Sequence, residues 1–329
     1  MELLISHRSA LEYWRLFGFT EVKPAHRQRK RMIPTYALTA LELQRMDTRG
    51  LTLPLEVMVG APSAVRKLKG VKPHVACKPL PEGGIIDVGE GLFVASPELC
   101  FFQLANRLPL AKHLRLGLEL CGSYSLPANE AAYKDYEIME KGFKNRLALT
   151  STEKLGSFLA HSSGILDQRQ MKSILRYIGD GSASPMESRL LVLLTLPYRH
   201  GGFGLPMPEL DAVVEPGKRA SKRGTSRLSL GERDYRCDLY WRDLMLAVEY
   251  DSDKYHLLSE QKADDSKKKN YLLSKGVQVI TVSKLQLRSV VEIERVAQQL
   301  AACHGRQLRY KENPMWTERH YQLRRQLGI

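Results

Sequence analysis

The chain has 329 residues, room for two ordinary domains, and 43% of them are hydrophobic, which excludes an intrinsically disordered polymer. Fifty Lys and Arg against 36 Asp and Glu give a net charge of +14, a balance that suits DNA, RNA or another polyanionic surface. No apolar run reaches the ~18 residues of a membrane span, no basic leader precedes an apolar stretch, and the widely spaced Cys77, Cys100, Cys121, Cys237 and Cys303 include no Cys-x-x-Cys pair. A cytoplasmic, reducing location is expected, without a disulfide framework or zinc knuckle.

Residues 1–165 read as one mixed α/β unit. Ser9 to Phe17 has helical spacing, with Leu11, Trp14 and Leu16 as its apolar positions. A basic run, His26 to Arg31, follows. Leu55 to Val59 and Gly91 to Ala95 read as short buried strands, separated by turn signals at Pro62, Pro73, Pro79, Pro81 and Gly83-Gly84. Ser96-Pro97-Glu98 has the N-cap residue and N1 proline of a helix start. Two further helices are expected from Ser151 or Thr152 and from Asp167. The small residues Gly179 to Ala183 mark a boundary, so residues 166–183 are predicted to be a helical linker.

A second domain is predicted over 184–303. Ser184-Pro185-Met186-Glu187 opens a helix running to Leu196, and a Gly/Pro-rich stretch, Pro197 to Pro208, follows it. Glu209 to Val214 reads as a strand, and Arg236 to Trp241 with Leu244 to Tyr250 as a hairpin. Leu257 to Lys275 reads as a helix closed by Gly276, Val277 to Val282 as a strand, and Val290 to Ala302 as a helix. That order predicts a mixed central sheet covered by helices. Residues 304–329 form a basic helical extension with six Lys/Arg against two Glu. Its Tyr310, Trp316 and Tyr321 are expected to pack on the body, with the bases turned outward.

Three carboxylates carry the chemistry of this domain. Asp238 lies in Tyr-Arg-Cys-Asp-Leu-Tyr-Trp, and Glu249 ends the apolar run Leu-Met-Leu-Ala-Val-Glu. A carboxylate at such a position is costly to bury unless it is paired or bound to metal. A hairpin brings the two together, and oxygen-only ligands suit Mg²⁺ or Mn²⁺. Glu187 is the third, from the helix start. Each has a plainer reading: Glu187 completes a capping box with Ser184, Asp238 pairs with Arg236, and Glu249 faces solvent. Asp251 and His256 follow Glu249 closely, and His256 is a metal-ligand or proton-transfer candidate.

Taken together, these residues resemble the nuclease-like domains related to very-short-patch-repair endonucleases, within the PD-(D/E)XK superfamily. The resemblance spans about residues 180–303. It rests on Ser184-Pro-Met-Glu187, Arg236-Cys-Asp238, Glu249-Tyr-Asp251-Ser252, His256, Asp265-Ser-Lys-Lys268, Leu272 and Gly276. Ser252 stands where the family usually has Gly, and Lys268 where it usually has Arg. Asp251 occupies the place of the superfamily's lysine two residues after the acid, so Lys254 or His256 is the candidate substitute.

The resemblance implies an α/β/α restriction-endonuclease-like fold. It also implies a metal-dependent nuclease acting on DNA in a bacterial defence or repair context, with Asp238, Glu249 and Glu187 as ligands. The alternative it leaves open is a non-catalytic DNA-binding regulator or antitoxin that retains an inactive nuclease fold. Residues 1–165 are similar to AbiEi-like proteins through Gly91-Leu-Phe-Val-Ala-Ser-Pro-Glu98 and the apolar helix after it. That similarity implies a recognition or regulatory role and a partner protein in a defence or toxin–antitoxin system. Nucleic-acid contacts are expected at Lys218, Arg219, Lys222, Arg223, Arg227 and Arg236. Lys267, Lys268 and Lys269 are expected either to touch phosphate or to form a solvated helix face.

Overall fold

The computed structural model describes residues 2–19, 29–30, 33, 50–76, 78–128, 142–162, 167–214, 235–251 and 259–329, with backbone alone for 29–30 and 259–265. They form a mixed α/β structure that divides into two compact units, residues 1–180 and 181–329. The division falls within the segment 166–183 that reads as a linker in sequence.

In the first unit, a mixed sheet is built from β1 (Leu3–Ile5), β2 (Arg29–Lys30), β3 (Leu55–Val59), β4 (Val71–Val75), β5 (Ile85–Gly89) and β6 (Leu92–Ala95), in the order β2-β5-β6-β1-β3-β4. Strand β1 lies inside the sheet, parallel to β6 and antiparallel to β3, which is why its Leu-Leu-Ile run is buried throughout. Helix α1 (His7–Phe17) follows directly and packs on β3 and on α2 (Pro97–Gln103). It buries Ala10, Leu11, Tyr13 and Trp14, while Leu16, expected on the same face, is 43% exposed. The Trp14 indole N–H donates to Ala95 O at 2.8 Å and ties helix to sheet.

Ser96 caps α2 as its sequence predicts, accepting from the Leu99 N–H. Helix α3 (Leu110–Leu120) and the short pair β7 (Tyr124–Ser125) and β8 (Lys144–Asn145) come next. Helices α4 (Thr152–Ala160) and α5 (Gln168–Leu175) complete the unit; they are capped by Ser151 and Asp167 and pack on each other.

The second unit follows the predicted element order. Helix α6 (Pro185–Thr195) is buried along its whole length and is capped by Ser184. A four-stranded mixed sheet is formed by β9 (Glu209–Val214), β10 (Tyr235–Trp241), β11 (Leu246–Asp251) and β12 (Gln278–Ser283), in the order β12-β11-β10-β9. Both β9 and β11 run antiparallel to β10, while β12 is parallel to β11. The crossover from β11 to β12 contains α7 (Ser259–Ser274), which ends at Gly276 with φ +78°. Leu272 of α7 packs with Cys237, Tyr240, Ala247 and Val277. Helices α8 (Lys284–Arg288), α9 (Val290–Cys303) and α10 (Trp316–Leu327) complete the unit.

Helix α10 is integrated into the core. Trp316, His320, Leu323 and Leu327 are buried, the Trp316 indole donates to Gly202 O at 3.0 Å, and the Trp241 indole donates to Pro206 O at 3.0 Å. The expectation of aromatics inward and bases outward needs correction: Tyr321 is 53% exposed, and Arg324 is buried with its Nη2 donating to Leu287 O. The buried stripe runs through 316, 320, 323 and 327, so Arg324 lies beside it and Tyr321 faces away. No described helix is long and apolar enough to cross a membrane. The described cysteines Cys100, Cys121, Cys237 and Cys303 are free thiols.

Candidate active site

Three elements of the second unit deliver the carboxylates. The register Leu239↔Val248, Tyr240↔Ala247, Trp241↔Leu246, continued by one residue, sets Asp238 across from Glu249. Directly opposed residues of an antiparallel pair have Cβ atoms about 5 Å apart. Asp238 Oδ2 accepts the Tyr250 N–H at 2.7 Å, which fixes the carboxylate against β11. Glu187 comes from the first turn of α6. Its own N–H donates to Ser184 Oγ at 3.2 Å, and its Oε2 accepts from Ala183 N–H at 2.8 Å. The serine caps the helix, but the glutamate reaches one residue past it, so a reciprocal Ser184–Glu187 box does not form.

Burial and mutual charge act together here. Burial, and then the Asp238 charge, push the Glu187 carboxyl above the ordinary carboxylate range. Glu249 is raised by burial and by Asp238, against the opposing pull of Lys268 and the Cys237 thiol. Asp238 is also raised by burial, with the Tyr250 N–H and Lys268 opposing. Such a group of partly buried acids favours either protons or a cation.

Lys268 is the residue that sequence reasoning placed elsewhere. Its Nζ lies 2.6 Å from Glu249 Oε2, with a side chain only 27% exposed. Burial alone would lower its pKa, but the Glu249 and Asp238 charges hold it above the ordinary lysine value. The triple lysine is therefore split: Lys267 and Lys269 are exposed, and Lys268 turns in to the acids. The signal was present in the helical period, because Leu272, one turn on, is a core residue and shares that face.

A second residue escaped the reading. Asp211 on β9 stands opposite Asp238 when the register Cys237↔Ala212, Leu239↔Leu210 is followed, and its φ is +45°. It takes the ion pair once expected for Asp238: Arg236 Nη1 lies 2.7 Å from Asp211 Oδ2.

Glu249, Asp251, Lys268, Lys269, Leu272 and Thr281 are among the residues lining an open pocket of about 230 Å³. Glu249 Oε1 is buried and accepts no hydrogen bond among the described residues. Lys254 and His256, and the bases Lys218, Arg219, Lys222, Arg223 and Arg227, lie outside the described residues.

A different set of ligating atoms occurs in the first unit. His7, Glu56 and His74 place one ligand atom each within 4.8 Å of one another and could hold a metal ion; among the described residues it is the one such group of three. Burial lowers His7 to about 3. Burial alone would raise Glu56, but His74, Lys72, the Arg8 N–H and Arg107 together hold it well below the usual carboxylate range. Asp238, Glu249 and Glu187 do not form an equally closed set.

No family model, no curated protein and no solved structure matches this chain.

Proposed function

We propose that the second unit is a metal-dependent nuclease that hydrolyses phosphodiester bonds, with DNA as substrate. The observation that carries this reading is the convergence of Asp238, Glu249 and Glu187, each raised by burial and, for the two glutamates, by the Asp238 charge, beside a pocket lined by Lys268 and Lys269.

The donors fit Mg²⁺ or Mn²⁺: they are carboxylate oxygens, and the buried Glu249 Oε1 awaits a partner. Asp238 and Glu249 would hold the ion, with Glu187 assisting directly or through a water. When bound, it would supply an activated water and charge stabilisation on the leaving oxygen. Lys268 neutralises Glu249 before substrate arrives. With Glu249 engaged by the ion, Lys268, now 2.6 Å from Glu249 Oε2, would be available to hold a phosphate oxygen or the attacking water at the pocket wall. It thereby takes the role that the resemblance leaves vacant at Asp251. Tyr250 N–H keeps Asp238 oriented throughout.

The test is cleavage of supercoiled plasmid with Mg²⁺ or Mn²⁺ by the intact chain, Asp238→Asn, Glu249→Gln and Lys268→Met. Loss of roughly 100-fold or more in each variant is expected, the scale of a lost acid–base or charge-stabilising group.

A second reading has its own support. The 2.6 Å Lys268–Glu249 ion pair supplies an internal counter-ion where a metal would bind, as a retired site would. A DNA-binding regulator of that kind binds DNA without metal, cleaves nothing, and is indifferent to Asp238→Asn.

A further inference from the structure

We propose that the first unit binds one transition-metal ion, Zn²⁺ by its chemistry, through His7 at the start of α1, Glu56 on β3 and His74 on β4. This site is independent of the carboxylate centre in the second unit and of the function assigned there.

The geometry is close to that of a ligand set. Around a tetrahedral zinc with bonds of about 2.0–2.1 Å, neighbouring donor atoms stand roughly 3.3 Å apart. His74 Nε2 already lies 3.7 Å from Glu56 Oε1, a few tenths of an ångström from that value. It is beyond hydrogen-bond distance, and His74 Nε2 is buried with no hydrogen-bond partner among the described residues. The two imidazole rings have centroids 4.0 Å apart. Two imidazoles and one carboxylate are donors for zinc and its neighbours, not for Mg²⁺ or Ca²⁺.

The surroundings also prepare His7. Its Nδ1 lies 2.9 Å from Ser6 Oγ, and that hydroxyl is itself directed to Glu56 O at 3.5 Å. With the hydroxyl proton given to the carbonyl, Ser6 accepts from Nδ1–H and leaves the Nε2 lone pair of His7 for a cation. Metal-binding histidines are commonly held by such an outer hydrogen bond. His7 also has φ +51°, a strained conformation for a side chain of its size, of the kind that persists where function requires it.

Two cations hold the place of the metal. Lys72 Nζ is 2.8 Å and Arg107 Nη1 3.0 Å from Glu56 Oε1, and Arg107 Nη2 is 3.2 Å from His74 Nδ1. Lys72 is 53% and Arg107 35% exposed, so both side chains can withdraw to water, whereas Glu56 is 6% exposed and fixed. One dication replacing two monocations leaves the local charge unchanged. Arg107 must leave for a second reason: with Nε2 on the metal, the His74 proton sits on Nδ1, which then cannot accept from a guanidinium.

The experiment uses the full chain carrying Asp238→Asn and Glu249→Gln, so that the second unit contributes no site. After chelator treatment it is titrated with Co²⁺, read by visible d–d absorption, and then with Zn²⁺ in competition. One equivalent of Co²⁺ with the strong absorption of a four-coordinate site, displaced by Zn²⁺, is the expected result. His74→Gln should abolish it, and Arg107→Gln should tighten it roughly tenfold by removing a competing charge. No uptake, or uptake unchanged by His74→Gln, overturns the proposal. Should His74→Gln fail to fold, the partly exposed Arg107→Gln decides alone: affinity that does not increase overturns it.

Discussion

At the scale of single residues, the raised carboxyls of the second unit link protonation to stability. Glu187 and Glu249 have folded-state values above their ordinary 4.5. The stability they contribute is therefore complete below about 4.5 and is lost as pH rises toward the folded values. Glu56 acts with the opposite sign: its folded value is depressed, so its contribution is present at neutral pH and lost in acid. The difference in melting temperature between the intact chain and Glu187→Gln isolates the first effect. The variant should gain relative to the intact chain as pH rises above about 4.5, and saturating Mg²⁺ should reduce that gain. Asp238→Asn should likewise stabilise the metal-free protein at neutral pH, because it removes the buried charge that raises both glutamates. Chemical denaturation of the two forms measures it; a destabilised Asp238→Asn would show that attraction to Lys268 outweighs repulsion between the acids. The three acids were legible because Asp238 and Glu249 interrupt strands that are otherwise largely apolar and Glu187 follows a capping serine, places where an ionised group is otherwise hard to explain. Asp211 was not, since a left-handed φ within a strand leaves no trace in residue order, and Lys268 was obscured by the lysines on either side of it.

At the scale of elements, capping chemistry made the sequence readable. Ser96, Ser151, Asp167 and Ser184 each accept the N–H three residues on, and Gly276 closes α7 with a positive φ. Helix α8 went unread although Ser283 and Gln286 form a reciprocal capping box, because five residues are too few to show a helical period; other unread elements lacked such marks. Strand β1 has three residues, too few to show a period, and β4 carries Pro73 in its middle. Helix α3 buries His113, Arg115 and Glu119 along with its leucines, so its apolar face is masked by charge. Gly201 and Gly202 show what close approach requires: a Cβ on Gly201 would collide with the Arg319 backbone, and one on Gly202 with Leu196 O. Gly202→Ala is expected to cost ~1–3 kcal/mol, the range for overfilling a packed core. Thermal melts should show the loss; an unchanged melting temperature would mean that the turn at Gly202 is free to shift away from Leu196 at the end of α6.

At the scale of the whole molecule, the net charge of +14 is a statement about partners. If about six bases meet phosphates, the log–log dependence of DNA affinity on salt should have a slope of about −5. Fluorescence anisotropy at several salt concentrations measures it, and a slope near zero would end the nucleic-acid reading. Residues 304–329 enter this question differently from their appearance as a basic tail. Arg306, Arg309, Lys311 and Arg325 are exposed, but Trp316, Leu323 and Leu327 are core. Replacing Arg306 and Lys311 with Ala should flatten the salt slope by about 2 at unchanged stability, whereas deleting the segment should destabilise the second unit as a whole.

The indole bonds that pin helices and loops in each unit have an optical consequence. All three tryptophans are almost fully buried, at 0%, 6% and 3% exposure for Trp14, Trp241 and Trp316, and each N–H is held by a backbone carbonyl of its own unit. Trp14 is the sole indole of the first unit, and the other two belong to the second. A chain with Trp14→Phe therefore fluoresces from the second unit alone, and one with Trp241→Phe and Trp316→Phe from the first alone. Red-shifted emission in either reports the unfolding of one half of the molecule while the other half stays dark.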